Sequence, residues 1–263
     1  EPVAQIALTG QAESLVVLDA AGEPLIRAIS WMDERSREEC GLLARQFPPE
    51  TILEATGQQA VLPTWPATKL LWLRRRCPQV FCRAACFLLL KDYVAWRLTG
   101  VRAADRSIAS FTLYFDILRK AYWPDMLDAI GVSPGQLPPL TEPCTVIGPL
   151  CREAAEALGL GAETRVNTGT LDHFAGMIGT GNTRPGGVTL STGTVMALAA
   201  MLEPPVPPDS GALYGFLPDT RVMLPVAESG GASLEWFRRT CLGGQSLAEI
   251  DREAARRKSG ELL

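Results

Sequence analysis

One stretch constrains this chain more than any other. A strand-like run, Thr164–Asn167, leads into Thr168-Gly169-Thr170-Leu171-Asp172-His173-Phe174-Ala175-Gly176. Further on, Leu190-Ser191-Thr192-Gly193-Thr194 forms a second turn of small residues. A strand that ends on a glycine and an acid, with a short helix over Leu171–Met177 behind it, is a strand-to-helix unit of a mixed α/β sheet. An acid at such a turn can take a proton, and a hydroxyl-rich turn with free backbone N–H groups can cradle a phosphate. Two ordinary strand-to-helix turns have the same composition, because Gly and Asp favour turns anyway.

With 263 residues the chain can bury a sizeable core as one large domain or two smaller ones. It is 47% hydrophobic and 21% charged, as expected of a soluble globular protein. A net charge of −4 argues against a general nucleic-acid binder. The one dense basic run, Arg74-Arg75-Arg76, follows Leu70–Leu73 and precedes Pro78, and so reads as the cationic last turn of a helix. No apolar run is long enough to span a bilayer. The seven cysteines form no regular framework, although Cys77, Cys82 and Cys86 have a loose metal-like spacing. Buried reduced thiols are the expectation, and with them a reducing, cytoplasmic compartment. No metal-ligating set is expected. Glu1 opens almost directly into an apolar run, and the first methionine is Met32. The expectation is an internal piece of a longer protein.

Strands are expected over Val3–Thr9, Leu15–Leu18 and Leu25–Trp31, the last two joined by a turn at Asp19–Glu23. A helix over Asp33–Phe47, capped by Asp33, follows, then helices at Glu50–Thr56, Pro66–Arg76, Pro78–Ala84 and Lys91–Leu98. Cys86–Leu90 reads as a buried strand, Ser133-Pro134 as a cap followed by proline, and Gly148–Leu158 as a helix. The texture changes near residue 180. Gly181–Gly187 is rich in Gly and Pro, Val188–Leu198 is β-rich, and Glu203–Asp209 is a proline-rich loop. Arg221–Val226 reads as a strand. Ser233–Thr240 is a helix entered through Gly230-Gly231, and Ser246–Lys258 has an amphipathic helical pattern. The fold class is α/β, with a domain boundary expected near 180.

Several runs in order resemble the FGGY family of carbohydrate kinases. They are Gly10–Asp19 with Gly22, Ala28–Arg35, Lys69–Leu73, Leu90–Tyr93 with Arg97–Gly100, Asp105–Ser110 with Asp116, Gly169–Gly181, Ser191–Thr194, and Gly230–Trp236. The resemblance implies actin-like (ribonuclease H-like) mixed sheets flanked by helices, in two domains around a cleft, both incomplete here. Residues 1–180 would be the sugar-binding domain without its amino-terminal Asp-X-Gly-Thr phosphate hairpin. Residues 181–263 would begin the ATP-binding domain, without its later Gly-Gly-Gly adenosine loop.

Carried over by position, the resemblance implies that Asp172 is the catalytic general base. Ala12, Glu13, Trp31 and His173 would contact substrate. Gly193, Thr194, Gly231 and Glu235 would lie at the nucleotide. Xylulokinases of the family usually carry Met-His where Ala12-Glu13 stands, and glycerol kinases Arg-Glu, so this pair matches neither. Lys69 reads as structural. The implied reaction is ATP-dependent phosphorylation, with Mg²⁺, of a sugar or polyol hydroxyl, best a ketopentose such as xylulose. This segment alone is expected to be inactive. The alternative is a sugar-binding or sensing module that does not transfer phosphate. Expected partners are the sugar and a second copy in a homodimer, with neither nucleic acid nor membrane. A dinucleotide loop is disfavoured, because Arg184 stands where the third glycine of Gly176, Gly179 and Gly181 would fall. No Walker A pattern occurs.

Overall fold

The computed structural model describes residues 2–193, 196–227 and 229–256. Strands β1 (Gln5–Gly10) and β2 (Leu15–Leu18) form from the two opening apolar runs. The expected third strand does not form. Residues 24–31 fold back along β2 but meet it at two isolated bridges, Leu15–Ile29 and Leu18–Pro24, which are out of register with one another. The turn between is drawn tight by Asp19, whose carboxylate accepts from the N–H groups of Ala21 and Glu23, both at 2.9 Å. Arg27 and Ala28 then swing into solvent, so no ladder propagates.

Helix α1 spans Arg37–Gln46 and so starts later than expected. Asp33 does not cap it, because its carboxylate is engaged by Arg35 through the backbone N (3.0 Å), Nε (2.8 Å) and Nη2 (2.6 Å). Helices α2 (Pro49–Thr56), α3 (Pro66–Arg76) and α4 (Pro78–Arg83) each open on a proline, where the missing N–H has no intrahelical partner to lose. Arg75 and Arg76 of α3 pair with Glu38 and Glu39 of α1, which accounts for the basic run.

Strand β3 (Cys86–Leu89) is buried along its length and antiparallel to β2. Helix α5 (Leu90–Thr99) ends at the left-handed Gly100. Short elements follow: β4 (Ala104–Asp105), α6 (Arg106–Ala109), β5 (Phe115–Asp116), β6 (Ala121–Tyr122), α7 (Pro124–Ile130) and β7 (Leu140–Thr141). The Ser133-Pro134 signal opens a single 3₁₀ turn, Pro134–Gln136. The helix expected from Gly148 is shorter. Val146–Pro149 is strand β8, and α8 covers Arg152–Leu158. Pairing with the strand at 165–167 holds residues 146–149 extended, which overrides their local helical pattern.

Strand β9 (Arg165–Leu171) lies at the centre of a three-stranded sheet, parallel to β1 and antiparallel to β8. Helix α9 (Asp172–Gly179) follows without a linker. A second, antiparallel sheet has β10 (Val188–Thr192), β11 (Met196–Met201), β12 (Leu213–Tyr214), β13 (Arg221–Met223) and β14 (Val226–Ala227). Helices α10 (Gly231–Thr240) and α11 (Leu247–Ala254) complete the described chain, with Ser246 capping α11. Lys258, the expected helix end, lies outside the described residues.

One apolar core joins both parts of the chain. It runs from Leu15, Leu70 and Phe87 through Phe174 and Met177 of α9 to Ala199, Met201, Phe216 and Val222. The second sheet therefore packs directly on the helix that follows Asp172. The cysteines differ from expectation. All seven are free, but Cys86 alone is buried and Cys82, Cys144 and Cys241 are exposed. Cys82 lies on α4, which has no buried residue. Among the described residues, no helix is long and apolar enough to cross a membrane.

Candidate functional site

The site is built where β9 ends. Its pairing with β1 shifts register between Ala7 and Thr9. At that shift Gly169 has φ of +61°, and a Cβ there would lie 1.5 Å from the Leu8 carbonyl oxygen. A side chain is excluded on both counts. From below, Lys91 Nζ donates to the Thr168 carbonyl at 2.8 Å and pairs with Asp92 at 3.1 Å and Asp105 at 2.8 Å. Asp105 caps α6, accepting from the N–H groups of Ser107 (3.0 Å) and Ile108 (3.1 Å). Ser107 Oγ meets Thr170 Oγ1 at 2.8 Å. Burial works against the Lys91 charge, but the two carboxylates outweigh it and raise the ammonium's pKa. Burial raises Asp92 to about 6 against the pull of Lys91.

This arrangement delivers Asp172 to the first turn of α9, exposed, with Oδ1 accepting from the His173 N–H at 2.7 Å. Asp172 and His173 line an open cavity of about 260 Å³. Its opposite wall is the inner face of β10 and β11, with Thr189, Ser191, Ala197 and Ala199. Gly176, one turn further along α9, adds no side chain and keeps the cavity open.

Ala12, Glu13 and Ser14 make a tight turn between β1 and β2. Ser14 N–H donates to the Ala12 carbonyl at 2.8 Å, and Glu13 has φ of +63°. Ala12 is buried, and Glu13 is half-buried. Burial raises the Glu13 carboxyl to about 8; nearby Lys69 lowers it, and the Asp172 carboxylate adds to the rise. Glu13 and Asp172 are thus brought together from residues 159 positions apart in sequence. A protonated carboxyl presents one O–H donor beside its acceptor oxygens, which matches a polyhydroxy ligand. Trp31 is placed beside the same turn, its N–H donating to Ser14 Oγ at 3.1 Å. Trp31 is 39% exposed and not part of the core.

The raised Glu13 value carries a stability consequence. A folded pKa above the unfolded one contributes stability that is fully present below about 4.5 and lost as pH rises through about 8. Lys69, lowered to about 8 by burial, remains protonated over most of that range. Glu13→Gln is therefore expected to raise the Tm near pH 8 more than near pH 5. Thermal unfolding across that interval checks it; an equal change at both ends would mean an ordinary carboxyl.

The residues expected at a nucleotide lie elsewhere. Gly231 N–H donates to the Gly193 carbonyl at 2.7 Å, so the turn after β10 and the start of α10 are joined. Thr194 lies outside the described residues. Glu235 sits one turn into α10, its carboxylate bonded to Arg238 (2.7 and 2.8 Å) and Arg239 (2.5 Å), which hold it down to about 2. Ser191 links the two regions: it lines the cavity and stands two residues before Gly193.

Thr189 is the cavity residue on β10 that the sequence reading did not single out; it alternates with Ser191 and so shares the strand's inner face, a legible signal. Lys69, read as structural, lies inside the apolar run of α3 and is fully buried.

Residues 1–179 match the N-terminal domain of the FGGY family of carbohydrate kinases. The chain is 33% identical over 248 residues to a xylulose kinase of Bacillus subtilis (strain 168), covering 93% of this chain and 49% of that protein. It is also 33% identical over 239 residues to a xylulose kinase of Escherichia coli (strain K12), covering 90% of this chain and 49% of that one. A solved xylulose kinase from Rhodospirillum rubrum superposes with a TM-score of 0.90 at 27% identity, over 98% of this chain and 53% of that one. The chain spans about half the length of the curated relatives it matches. On the family match, these identities and the shared actin-like mixed α/β fold, the chain belongs to the FGGY family of carbohydrate kinases.

Proposed function

We propose that this chain carries the sugar side of a kinase that phosphorylates a hydroxyl of a small sugar or polyol, best a ketopentose such as xylulose. The observation that carries the reading is Asp172 lining the cavity, near enough to Glu13 for its charge to act on that carboxyl. The names of the relatives support the substrate class. ATP, when bound, supplies the transferring γ-phosphoryl group. The chain's own residues do the rest of the work proposed here. Glu13 exchanges hydrogen bonds with sugar hydroxyls, Trp31 offers an apolar ring to the carbon face, and His173 borders the same cavity. Asp172 accepts the proton of the attacking hydroxyl as its oxygen bonds to phosphorus and the bond to the ADP oxygen breaks. Gly193 and Gly231 give backbone that a phosphate can approach closely, and α10 opens there with its N–H groups. Mg²⁺, when bound with ATP, would neutralise charge on the transferring phosphoryl group. Glu235, one turn into α10 and held by its two arginines, would lie near the nucleotide. The strands after residue 187 would lead into the nucleotide-side domain; the family match ending at residue 179 supports this division.

The test is a phosphorylation screen of the full gene product against pentuloses, hexonates, glycerol and tetritols, read by ADP release. A ketopentose is expected to lead. Sugar binding without turnover on any of them would favour the sensing module instead. Glu13→Ala is expected to weaken sugar binding by about 1–3 kcal/mol and leave ATP binding unchanged. Titration calorimetry with each ligand checks this, and equal losses would make Glu13 structural.

A further inference from the structure

Two buried lysines flank the site, and they are satisfied differently. Lys91 is paired with carboxylates. Lys69, on α3 and with no exposed surface, donates to two main-chain carbonyls: Thr64 at 2.7 Å and Glu13 at 3.3 Å. A buried ammonium is costly unless its donors are matched. A surface lysine or an apolar residue would serve α3 packing more simply, since Pro66, Ala67, Leu70, Leu71 and Leu73 around it are all buried.

The Glu13 carbonyl belongs to a backbone that needs holding. A three-residue turn closed from Ser14 N–H to the Ala12 carbonyl, with the central residue at φ of +63°, is the rare and strained form of γ-turn. Such strain persists only where the surroundings over-determine it. Here three groups do so. Lys69 holds the carbonyl of Glu13. The Trp31 N–H holds Ser14 Oγ. The Leu90 N–H holds the Ser14 carbonyl at 2.9 Å. Of the three, Lys69 alone acts on Glu13 itself.

We propose that Lys69 is a positioning residue of the sugar pocket: its ammonium ties the strained Glu13 turn to the Thr64 loop and so sets the direction in which Glu13 meets a sugar. The role rests on the reading of Glu13 as a sugar contact. The charged groups facing the ammonium are Glu13, Asp33 and Arg35, on the two loops packed against α3. Glu13 and Asp33 favour its charge, while burial and Arg35 oppose it.

The test uses the full gene product with Lys69→Met, which keeps the length and removes the donors, and Lys69→Arg, which restores charge and donors. Two readouts are taken. The first is amide hydrogen exchange, without ligand. Lys69→Met is expected to speed exchange about tenfold or more in peptides covering residues 12–15 and 62–66, with the protection of β9 and α5 unchanged. The second is steady-state phosphorylation of the best sugar. KM for the sugar is expected to rise about tenfold with kcat and KM for ATP held within about twofold, and Lys69→Arg to recover part of the loss. Uniformly faster exchange with an unchanged sugar KM would overturn the proposal and make Lys69 a core residue. If no sugar is phosphorylated by the unmutated protein, the functional reading fails, and the exchange pattern alone decides whether Lys69 holds the turn. Should Lys69→Met not fold, Lys69→Gln, which keeps N–H donors without charge, replaces it; failure of both to fold would overturn the proposal.

Discussion

Asp172→Asn in the full gene product is expected to lower kcat for sugar phosphorylation by about 10²–10⁴-fold while sugar affinity changes by no more than about threefold. A sugar hydroxyl is a weak nucleophile at neutral pH, and a carboxylate within reach removes its proton as the bond to phosphorus forms. The amide keeps the shape of the side chain and can still accept the His173 N–H, now found at 2.7 Å. Its effect is thereby confined to proton transfer. Single-turnover kinetics beside calorimetric titration of the sugar separate chemistry from binding. A variant that turns over at the original rate would remove Asp172 from the role of base.

Gly169→Ala is expected to produce the largest loss of stability of any single methyl added to this chain. The new Cβ would meet the Leu8 carbonyl oxygen at 1.5 Å, and the residue would be held at φ of +61°. Neither strain has a cheap escape, because the opposing atom is backbone in the parallel partner strand and Gly169 N–H is held by Asn167 Oδ1 at 2.6 Å. The cost should reach about 4 kcal/mol or more, in the exceptional range for one substitution. Urea unfolding of the variant measures it. A loss below about 1 kcal/mol would mean that β1 and β9 can separate at the register shift. A control comes from Gly100, also left-handed, where a Cβ meets nothing within 4 Å. There alanine should cost only the backbone term, about 1–2 kcal/mol.

The elements that carry the candidate site are written in short local patterns. The step from β9 to Asp172, the helix behind it and the buried strand at Cys86–Leu89 are each set by composition over fewer than ten residues. Such elements carry their own signal, because alternation, capping and glycine placement act between near neighbours in the chain. The motif order from Gly10 to Trp236 is itself a signature of the family.

Where the structure departs from the local pattern, a competing contact decides the outcome. Residues 25–31 have the composition of a strand, yet the bridges that Pro24 and Ile29 make to β2 fall out of register and no ladder forms. Asp33 has the chemistry of a helix cap, but Arg35 takes its carboxylate first. Residues 148–149 look helical until β9 pairs with them. Lys69 shows the same limit at the site. By local pattern it is one charge inside an apolar helix. Only folding brings its ammonium under the carbonyl of Glu13, 56 residues away in sequence. Sequence by itself determined the family, the acid at the strand end and the elements that carry it, since these depend on neighbours along the chain. The tertiary structure alone decided that the Asp172 and Lys69 charges reach Glu13, because desolvation and charge act through space, and the three residues come from three separate elements.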